Sequence, residues 1–190
     1  MAAKREVLIL LGSPRKRGNS ALLAAEAAKG AKAAGANVET VYLQGLDIKA
    51  CTACNACQKK NAKGCVIRDD MRGLYPKLTQ ADALLFASPV YWANMSAQMK
   101  TLMDRCYALA TPSGHAFAGK RVGIVLAYGA PDVFSSGGVN ALRAFQDSFN
   151  FIGAKIAGMV HGMAWQPGDV KKNPALLKEA RGLGEALATS

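Results

Sequence analysis

The stretch EVLILLGSPRKRGNS, residues 6–20, decides the fold of this chain. Residues 6–11 are almost wholly apolar and end in Gly-Ser-Pro, which is typical of a buried strand in a parallel sheet. An Ala-rich segment follows, and it predicts a helix over about residues 20–34 that stops at Gly35. We expect Asn19 and Ser20 to supply the N-terminal cap of this helix. A strand, a polar turn and a helix in this order predict an α/β protein.

The rest of the chain repeats this alternation. Further strands are predicted over residues 37–43, 83–87, 121–128 and 155–163, and further helices over about residues 70–80, 95–109, 137–151 and 176–187. Five strands that alternate with five helices predict a parallel sheet with helices on both faces. Because no repeat or linker is visible, we expect one domain over residues 1–190, with a cysteine-rich loop over residues 45–68.

The amino-acid composition and charge limit the classes of function that the chain can have. The net charge is +11, but the basic residues are spread over the whole chain and no aromatic residues interleave with them. The positive charge either forms a solvated surface or attracts anionic cofactors and substrates, and we do not expect nucleic-acid binding. The longest uncharged stretch, residues 83–99, falls short of the ~20 apolar residues that span a bilayer. The first twenty residues lack a signal-peptide pattern, so we expect a cytoplasmic protein with no membrane partner.

The loop after the first strand is a candidate phosphate site. It leads into a helix N-terminus, whose free N–H groups and partial positive charge favour anions. The loop matches neither the Walker A pattern nor GxGxxG, and its hydroxyl groups suit a terminal monophosphate such as that of FMN. The alternative is an ordinary turn with a basic tip. The candidate binding residues in this loop are Ser13, Arg15, Gly18, Asn19 and Ser20.

Four of the five cysteines lie close together as C-x2-C-x2-C-x7-C, at positions Cys51, Cys54, Cys57 and Cys65. Such spacing can turn four thiolates toward one iron-sulfur cluster. Zinc uses the same donors, and a third possibility is that the loop packs without metal. We expect Cys106 to be a buried apolar residue on a helix.

Several motifs occur together in the order of the chain: GSPRKRGNS, the cysteine run, Asp69-Asp70-Met71, SPVYWANMSAQMK and Asp104-Arg105. In this combination the sequence resembles the flavodoxin-like NAD(P)H-dependent FMN reductases, and specifically their iron-sulfur flavoprotein branch. The resemblance carries motifs over roughly residues 6–129. It implies a flavodoxin-like three-layer sandwich around a five-stranded parallel sheet of order 2-1-3-4-5.

The resemblance also implies cofactors and site residues. FMN would lie at the ends of the first, third and fourth strands, and a 4Fe-4S cluster would use the four cysteines. The flavin ring and ribityl chain would contact Pro89, Val90, Tyr91, Trp92 and Asn94, and the other side of the ring would meet Tyr128 and Gly129. No side chain is expected to act as a catalytic acid or base, because the flavin carries the electrons.

By the same resemblance, NAD(P)H or another low-potential donor would reduce FMN. Electrons would then pass to a quinone, a free flavin, an aromatic compound or a redox protein. A homodimer or homotetramer is expected. Two other functions remain open: an electron-transfer protein without its own NAD(P)H turnover, and a zinc-stabilised module that binds nucleic acid. His115 and His161 are expected to be structural. The stripe of Met95, Met99 and Met103 is expected to pack in a core or to face an oligomer partner.

Overall fold

The computed structural model describes residues 4–189. Residues 1–3 and 190, which belong to the expected domain, lie outside the described part, as does the start of the segment screened for a signal peptide. In chain order the elements are β1 (Glu6–Leu11), α1 (Asn19–Ala33), β2 (Asn37–Tyr42), α2 (Met71–Gln80), β3 (Ala83–Tyr91), β4 (Asn94–Met95), α3 (Ala97–Arg105), β5 (Ala110–Thr111), β6 (Gly114–His115), β7 (Arg121–Tyr128), α4 (Gly138–Phe151), β8 (Lys155–Met163) and α5 (Pro174–Ala188). Within residues 4–189, none of these helices has the length and apolar character that crossing a membrane requires.

The main sheet has the strand order β2-β1-β3-β7-β8, and all five strands are parallel. The predicted order 2-1-3-4-5 is therefore confirmed. The sheet contains a sixth strand that the sequence did not predict, because β4 pairs antiparallel with the end of β3. This pairing arises because the chain doubles back at Trp92 and Ala93, both of which adopt a left-handed backbone.

The sheet is covered on both faces, which explains why its strands are nearly continuous apolar runs. On β1, Leu8 and Leu10 pack with α2, α3 and α4, whereas Val7 and Ile9 pack with α1 and α5. Successive side chains of a strand point to opposite faces, so both sets are buried. The methionine stripe lies in the first of these cores, as expected: Met95 and Met99 are buried and Met103 packs against them.

The close contact of α1 with α5 fixes the helix that follows the candidate phosphate loop. A Cβ atom at Gly184 would lie 1.8 Å from the carbonyl oxygen of Ala27, and one at Gly30 would lie 2.0 Å from that of Arg181. Only glycine allows the two backbones to approach this closely. These contacts hold the second half of α1 against α5.

Two helix starts differ from the sequence-based expectation. The N-cap residue of α1 is Gly18, and Asn19 already belongs to the helix, so the predicted cap by Asn19 and Ser20 is wrong. Helix α3 begins at residue 97 because the Oγ atom of Ser96 accepts a hydrogen bond from the backbone N–H of Met99. A 3-10 turn over residues 106–109 replaces the last predicted turn of this helix.

Candidate functional site

A pocket opens where β1, β3, β7 and β8 end, at the carboxyl edge of the parallel sheet. We call it the edge pocket; its volume is about 490 Å³. It lies where ligands bind in open α/β sheets. Ten predicted cofactor residues line it: Ser13, Arg15, Gly18, Asn19, Ser20, Pro89, Val90, Tyr91, Tyr128 and Gly129. Residues far apart in the sequence thus meet around one cavity.

The loop from Ser13 to Gly18 forms a tight turn at the floor of the edge pocket. Ser13 is buried, and its Oγ atom accepts a hydrogen bond of 3.0 Å from the backbone N–H of Arg15. The N–H of Gly18 donates to the carbonyl of Arg15, also at 3.0 Å. Within residues 4–189, no side chain caps α1, so its first-turn N–H groups are free of side-chain partners. That is the arrangement that anion sites at helix N-termini use.

The outer side of this loop is held by the end of β2. The hydroxyl of Tyr42 donates a hydrogen bond of 2.6 Å to the carbonyl of Pro14. The Nζ atom of Lys16 lies 5.2 Å from the centre of the Tyr42 ring, within the range of a cation–π contact. These contacts fix the basic turn against the sheet.

Buried serine hydroxyls join the loop after β1 to the end of β3. The Oγ atom of Ser96 donates a hydrogen bond of 2.6 Å to the carbonyl of Gly12, and the N–H of Ser96 donates to the Oγ atom of Ser88 at 2.9 Å. Both serines are fully buried. Sequence reasoning did not select either residue, although a serine directly before a helical pattern signals a cap.

Replacing Ser96 with Ala is expected to lower the free energy of unfolding by about 1–3 kcal/mol, because the variant loses the helix cap and leaves a buried carbonyl without its donor. Urea denaturation measures this change. The matched control is Ser148→Ala on the exposed side of α4, which should change stability by less than ~0.5 kcal/mol. Equal stability of both variants would contradict a stabilising role for this hydroxyl.

The segment that follows β8 forms a third wall of the edge pocket, which the sequence did not reveal. The side-chain amide of Asn19 holds this segment in place. Its Nδ2 atom donates hydrogen bonds to the carbonyls of Ala164 (3.1 Å) and Gln166 (2.9 Å). The Oδ1 atom of Asn19 accepts from the N–H of Gly168 at 2.8 Å. Lining residues missed by the sequence analysis are Ala127, Ala164, Trp165, Gln166 and Pro167. The signal that could have identified them is the shared edge at which all parallel strands end.

The ring of Trp165 packs directly on Gly129. A Cβ atom at Gly129 would lie 2.3 Å from the Cε3 atom of Trp165, so a larger residue there would displace the ring. Trp165 itself is 69% exposed. An aromatic side chain that is exposed beside a pocket offers a face to a planar ligand.

Two predicted residues, Trp92 and Asn94, do not line the edge pocket. Trp92 is fully exposed at the tip of the β3–β4 hairpin. The Oδ1 atom of Asn94 accepts a hydrogen bond of 2.8 Å from the N–H of Met95. The hairpin is held from the other side, because Asn140 donates to the carbonyl of Ala93 at 3.2 Å. The cofactor role of Trp92 and Asn94 stays a prediction.

Tyr128 brings a titratable group to the edge pocket. Its hydroxyl lies 3.1 Å from the Nδ1 atom of His161. Burial, together with the negative charge of Asp132, raises the pKa of Tyr128 above its ordinary value. The tyrosine therefore stays protonated near neutral pH. The other histidine, His115, lies in a structural setting: its Nδ1 atom accepts from the N–H of Phe117 at 3.1 Å.

The four clustered cysteines lie along a second, separate cavity of about 880 Å³, which we call the cysteine cavity. Cys51 and Cys54 are exposed, whereas Cys57 and Cys65 are half-buried. Aromatic and apolar side chains also line this cavity, among them Met103, Phe117, Phe149, Phe151 and Ile152. Among residues 4–189, none lines both this cavity and the edge pocket.

The cysteine cavity carries four thiols, the donors that a four-iron cluster or a zinc ion would use. In the part of the chain that the structure describes, no three acidic, histidine or cysteine side chains converge closely enough to hold a single metal ion. Zinc needs all four thiolates at ~2.3 Å. In a four-iron cluster each thiolate binds its own iron, so the ligands stand farther apart. The four thiols that line the cavity supply the number of ligands that such a cluster takes.

The environments of the cysteines differ. Burial raises the pKa of the Cys106 thiol to about 12, so this residue is inert, and its predicted burial is confirmed. At Cys54, hydrogen bonds from the backbone N–H of Ala56 and from the Thr52 side chain hold the pKa of the thiol below its usual value. The thiolate is the form that binds metal. The lowered pKa at Cys54 therefore favours the form of this side chain that binds metal.

Comparison with known proteins places this arrangement in a family. A family model described as NADPH-dependent FMN reductase matches residues 5–164. An iron-sulfur flavoprotein of Archaeoglobus fulgidus is 35% identical over 184 residues, which cover 94% of this chain and 77% of that protein. One of Methanosarcina thermophila is 33% identical over 162 residues, covering 83% and 81%.

Among solved structures, the NAD(P)H:quinone oxidoreductase from Methanothermobacter marburgensis superimposes with a TM-score of 0.76 and covers 99% of both chains at 19% identity. That likeness shows the shared fold. The family match covers most of the chain, and the relatives exceed 30% identity over most of their own length. The chain therefore belongs to the NADPH-dependent FMN reductase family, in its iron-sulfur flavoprotein branch, and is an FMN-dependent oxidoreductase that uses NAD(P)H.

Proposed function

We propose that FMN binds in the edge pocket, with its phosphate on the loop of residues 13–20 and its ring beside residues 89–91 and 128–129. One observation carries this proposal: the uncapped start of α1 and the aromatic residues that end β3 and β7 line the same cavity. A phosphorylated flavin needs an anion-binding site for its phosphate and aromatic side chains beside its planar ring.

Each part of the edge pocket has a distinct task. The first-turn N–H groups of α1 and the Ser20 hydroxyl would donate hydrogen bonds to the phosphate, and Arg15 would supply a fixed positive charge. Tyr91 and Trp165 would contact the ring and exclude water from it. The flavin supplies the electron-carrying chemistry when it is bound, and the protein supplies binding, orientation and electrostatics.

We further propose that Cys51, Cys54, Cys57 and Cys65 hold a 4Fe-4S cluster. Their shared cavity, the lowered pKa of Cys54 and the names of the relatives support this assignment. Ala53 and Asn55 lie between these cysteines in the left-handed region, with φ of 52° and 53°, and so bend the loop sharply. A cluster would supply one-electron transfer.

The electron acceptor is proposed to be a quinone, a free flavin or another small molecule, or else a redox protein. We also propose a homodimer or homotetramer, which is supported by large aromatic side chains that are exposed at Trp92, Phe134 and Phe151. One FMN-binding domain would span residues 1–190. A reducing compartment such as the cytoplasm suits a loop of free thiols.

Anaerobic purification followed by a visible spectrum and by iron, zinc, sulfide and flavin analysis tests this function. We expect about one FMN and about four irons with acid-labile sulfide per chain. Steady-state oxidation of NADPH and NADH with an artificial acceptor should show turnover. A flavin-free protein that contains zinc, or a flavoprotein that oxidises neither nucleotide, would contradict the corresponding part of the proposal.

A further inference from the structure

The buried side chain of Arg105 joins the two ends of the cysteine-rich loop. This arginine is the last residue of α3 and is 2% exposed. Its Nη1 atom donates a hydrogen bond of 2.7 Å to the carbonyl of Lys49. Both terminal nitrogens bind the carboxylate of Asp69, with Nη2 3.2 Å from Oδ1 and Nη1 on Oδ2. Lys49 precedes the first cysteine of the loop and Asp69 follows the last, so one guanidinium fixes both ends.

The same guanidinium also reaches a cysteine. Its Nη2 atom donates to the Sγ atom of Cys65 at 3.4 Å. The arginine's Nε atom is buried and has no hydrogen-bond partner within residues 4–189. Of the four clustered cysteines, Cys65 is thus the one in direct contact with a buried positive charge. Burying a charged arginine costs free energy. We therefore expect a buried arginine with this many contacts to have a specific role.

We propose that Arg105 is a positioning residue that orients Cys65 as a cluster ligand and raises the reduction potential of that cluster; this inference rests on the proposed iron-sulfur function. Reduction adds negative charge to a cluster and its sulfur ligands. An N–H donor and a cation beside a ligand sulfur stabilise the reduced form. Asp69 offsets part of the positive charge, so it acts in the opposite direction.

The geometry requires arginine in particular. Three partners lie around one planar group: a carbonyl, a carboxylate and a sulfur. A lysine carries the same charge but lacks the rigid fork of donors. Lysine at this position should therefore retain the charge and lose the alignment of Cys65.

Redox titration of the anaerobically reconstituted holoprotein, followed by electron paramagnetic resonance, measures the cluster potential in the variants Arg105→Gln, Arg105→Lys and Asp69→Asn. We expect Arg105→Gln to make reduction of the cluster about tenfold less favourable, which is ~59 mV for a one-electron couple. Arg105→Lys should shift the cluster potential less than Arg105→Gln does. Asp69→Asn should shift it the other way, because the guanidinium loses its counter-charge.

Two controls separate tuning from general damage. The FMN potential, measured in the same samples, should stay constant, because Arg105 does not line the edge pocket. Lys178→Gln removes one exposed positive charge from α5, on the opposite face of the sheet, and should leave the cluster potential unchanged. Opposite shifts for the two members of the ion pair would not result from simple loosening of the loop.

Three outcomes would overturn the inference. An unchanged cluster potential in Arg105→Gln at full iron content would exclude tuning. Shifts of the same sign in Arg105→Gln and Asp69→Asn would point to general damage. Loss of iron from all three variants at full FMN content would reject the effect of Arg105 on the cluster potential and limit its role to holding the loop and Cys65 in place. A wild-type protein that binds FMN but no iron would instead reject the iron-sulfur site itself, and this inference with it.

Discussion

Replacing Cys54 with Ala is expected to remove the iron and to leave the flavin in place. The iron content should fall from about four atoms per chain to a small fraction, because the cluster loses one of its four thiolate ligands. FMN should remain at full stoichiometry, since none of the residues that the structure describes lines both the cysteine cavity and the edge pocket. Metal analysis and the visible spectrum of the anaerobically purified variant measure both quantities.

The matched control for this change is Cys106→Ala. It removes a thiol from a cysteine that is buried beside the same cavity but is outside the clustered motif. This variant should retain its iron. Full iron in Cys54→Ala, or equal losses in the two variants, would show that the assigned ligands are wrong.

Reversing the charge of Arg15 by the change Arg15→Glu is expected to weaken FMN binding roughly 10- to 100-fold. A hydrogen bond to a charged group contributes about 1.5–3 kcal/mol, and the new carboxylate also repels the phosphate. Binding of riboflavin, which has no phosphate, should change little. Fluorescence titration of the flavin-free protein at one fixed salt concentration measures both affinities.

Arg17→Glu is the matched control for this second change. Arg17 lies on the same loop and is exposed, but it does not line the edge pocket. Its reversal alters the net charge equally and should weaken FMN binding far less. If Arg15→Glu and Arg17→Glu had the same effect, the loop would act through its overall charge and not through a contact with the phosphate.

The sheet could be predicted from the sequence because its strands are buried on both faces. Such strands read as apolar runs bounded by glycine or proline, which is why β1 and β7 match their predicted bounds. The candidate phosphate loop could be predicted for a similar reason, since a strand, a polar turn and a helix occupy adjacent positions in the chain. These signals lie within short stretches of sequence, so they can be recognised without knowledge of the tertiary contacts.

Long-range contacts account for what the sequence did not show. The wall formed by Trp165 depends on hydrogen bonds from Asn19 to residues about 145 positions away. The outward position of Trp92 depends on a hairpin turn whose left-handed residues carry no glycine signal. Arg105 belonged to a recognised motif, but only its burial and its contacts with both ends of the cysteine-rich loop suggest a role.

The most direct test of FMN binding in the edge pocket is a titration of the flavin-free protein with FMN and, separately, with riboflavin. The fluorescence of the two tryptophans, Trp92 and Trp165, reports the binding. Two charged hydrogen bonds to the phosphate imply that FMN binds at least ~100-fold more tightly than riboflavin. FMN should quench Trp165 more strongly than Trp92, so the quenching should be smaller in Trp165→Phe than in Trp92→Phe. Equal affinity for the two flavins, or no binding of FMN, would contradict the assignment of the edge pocket.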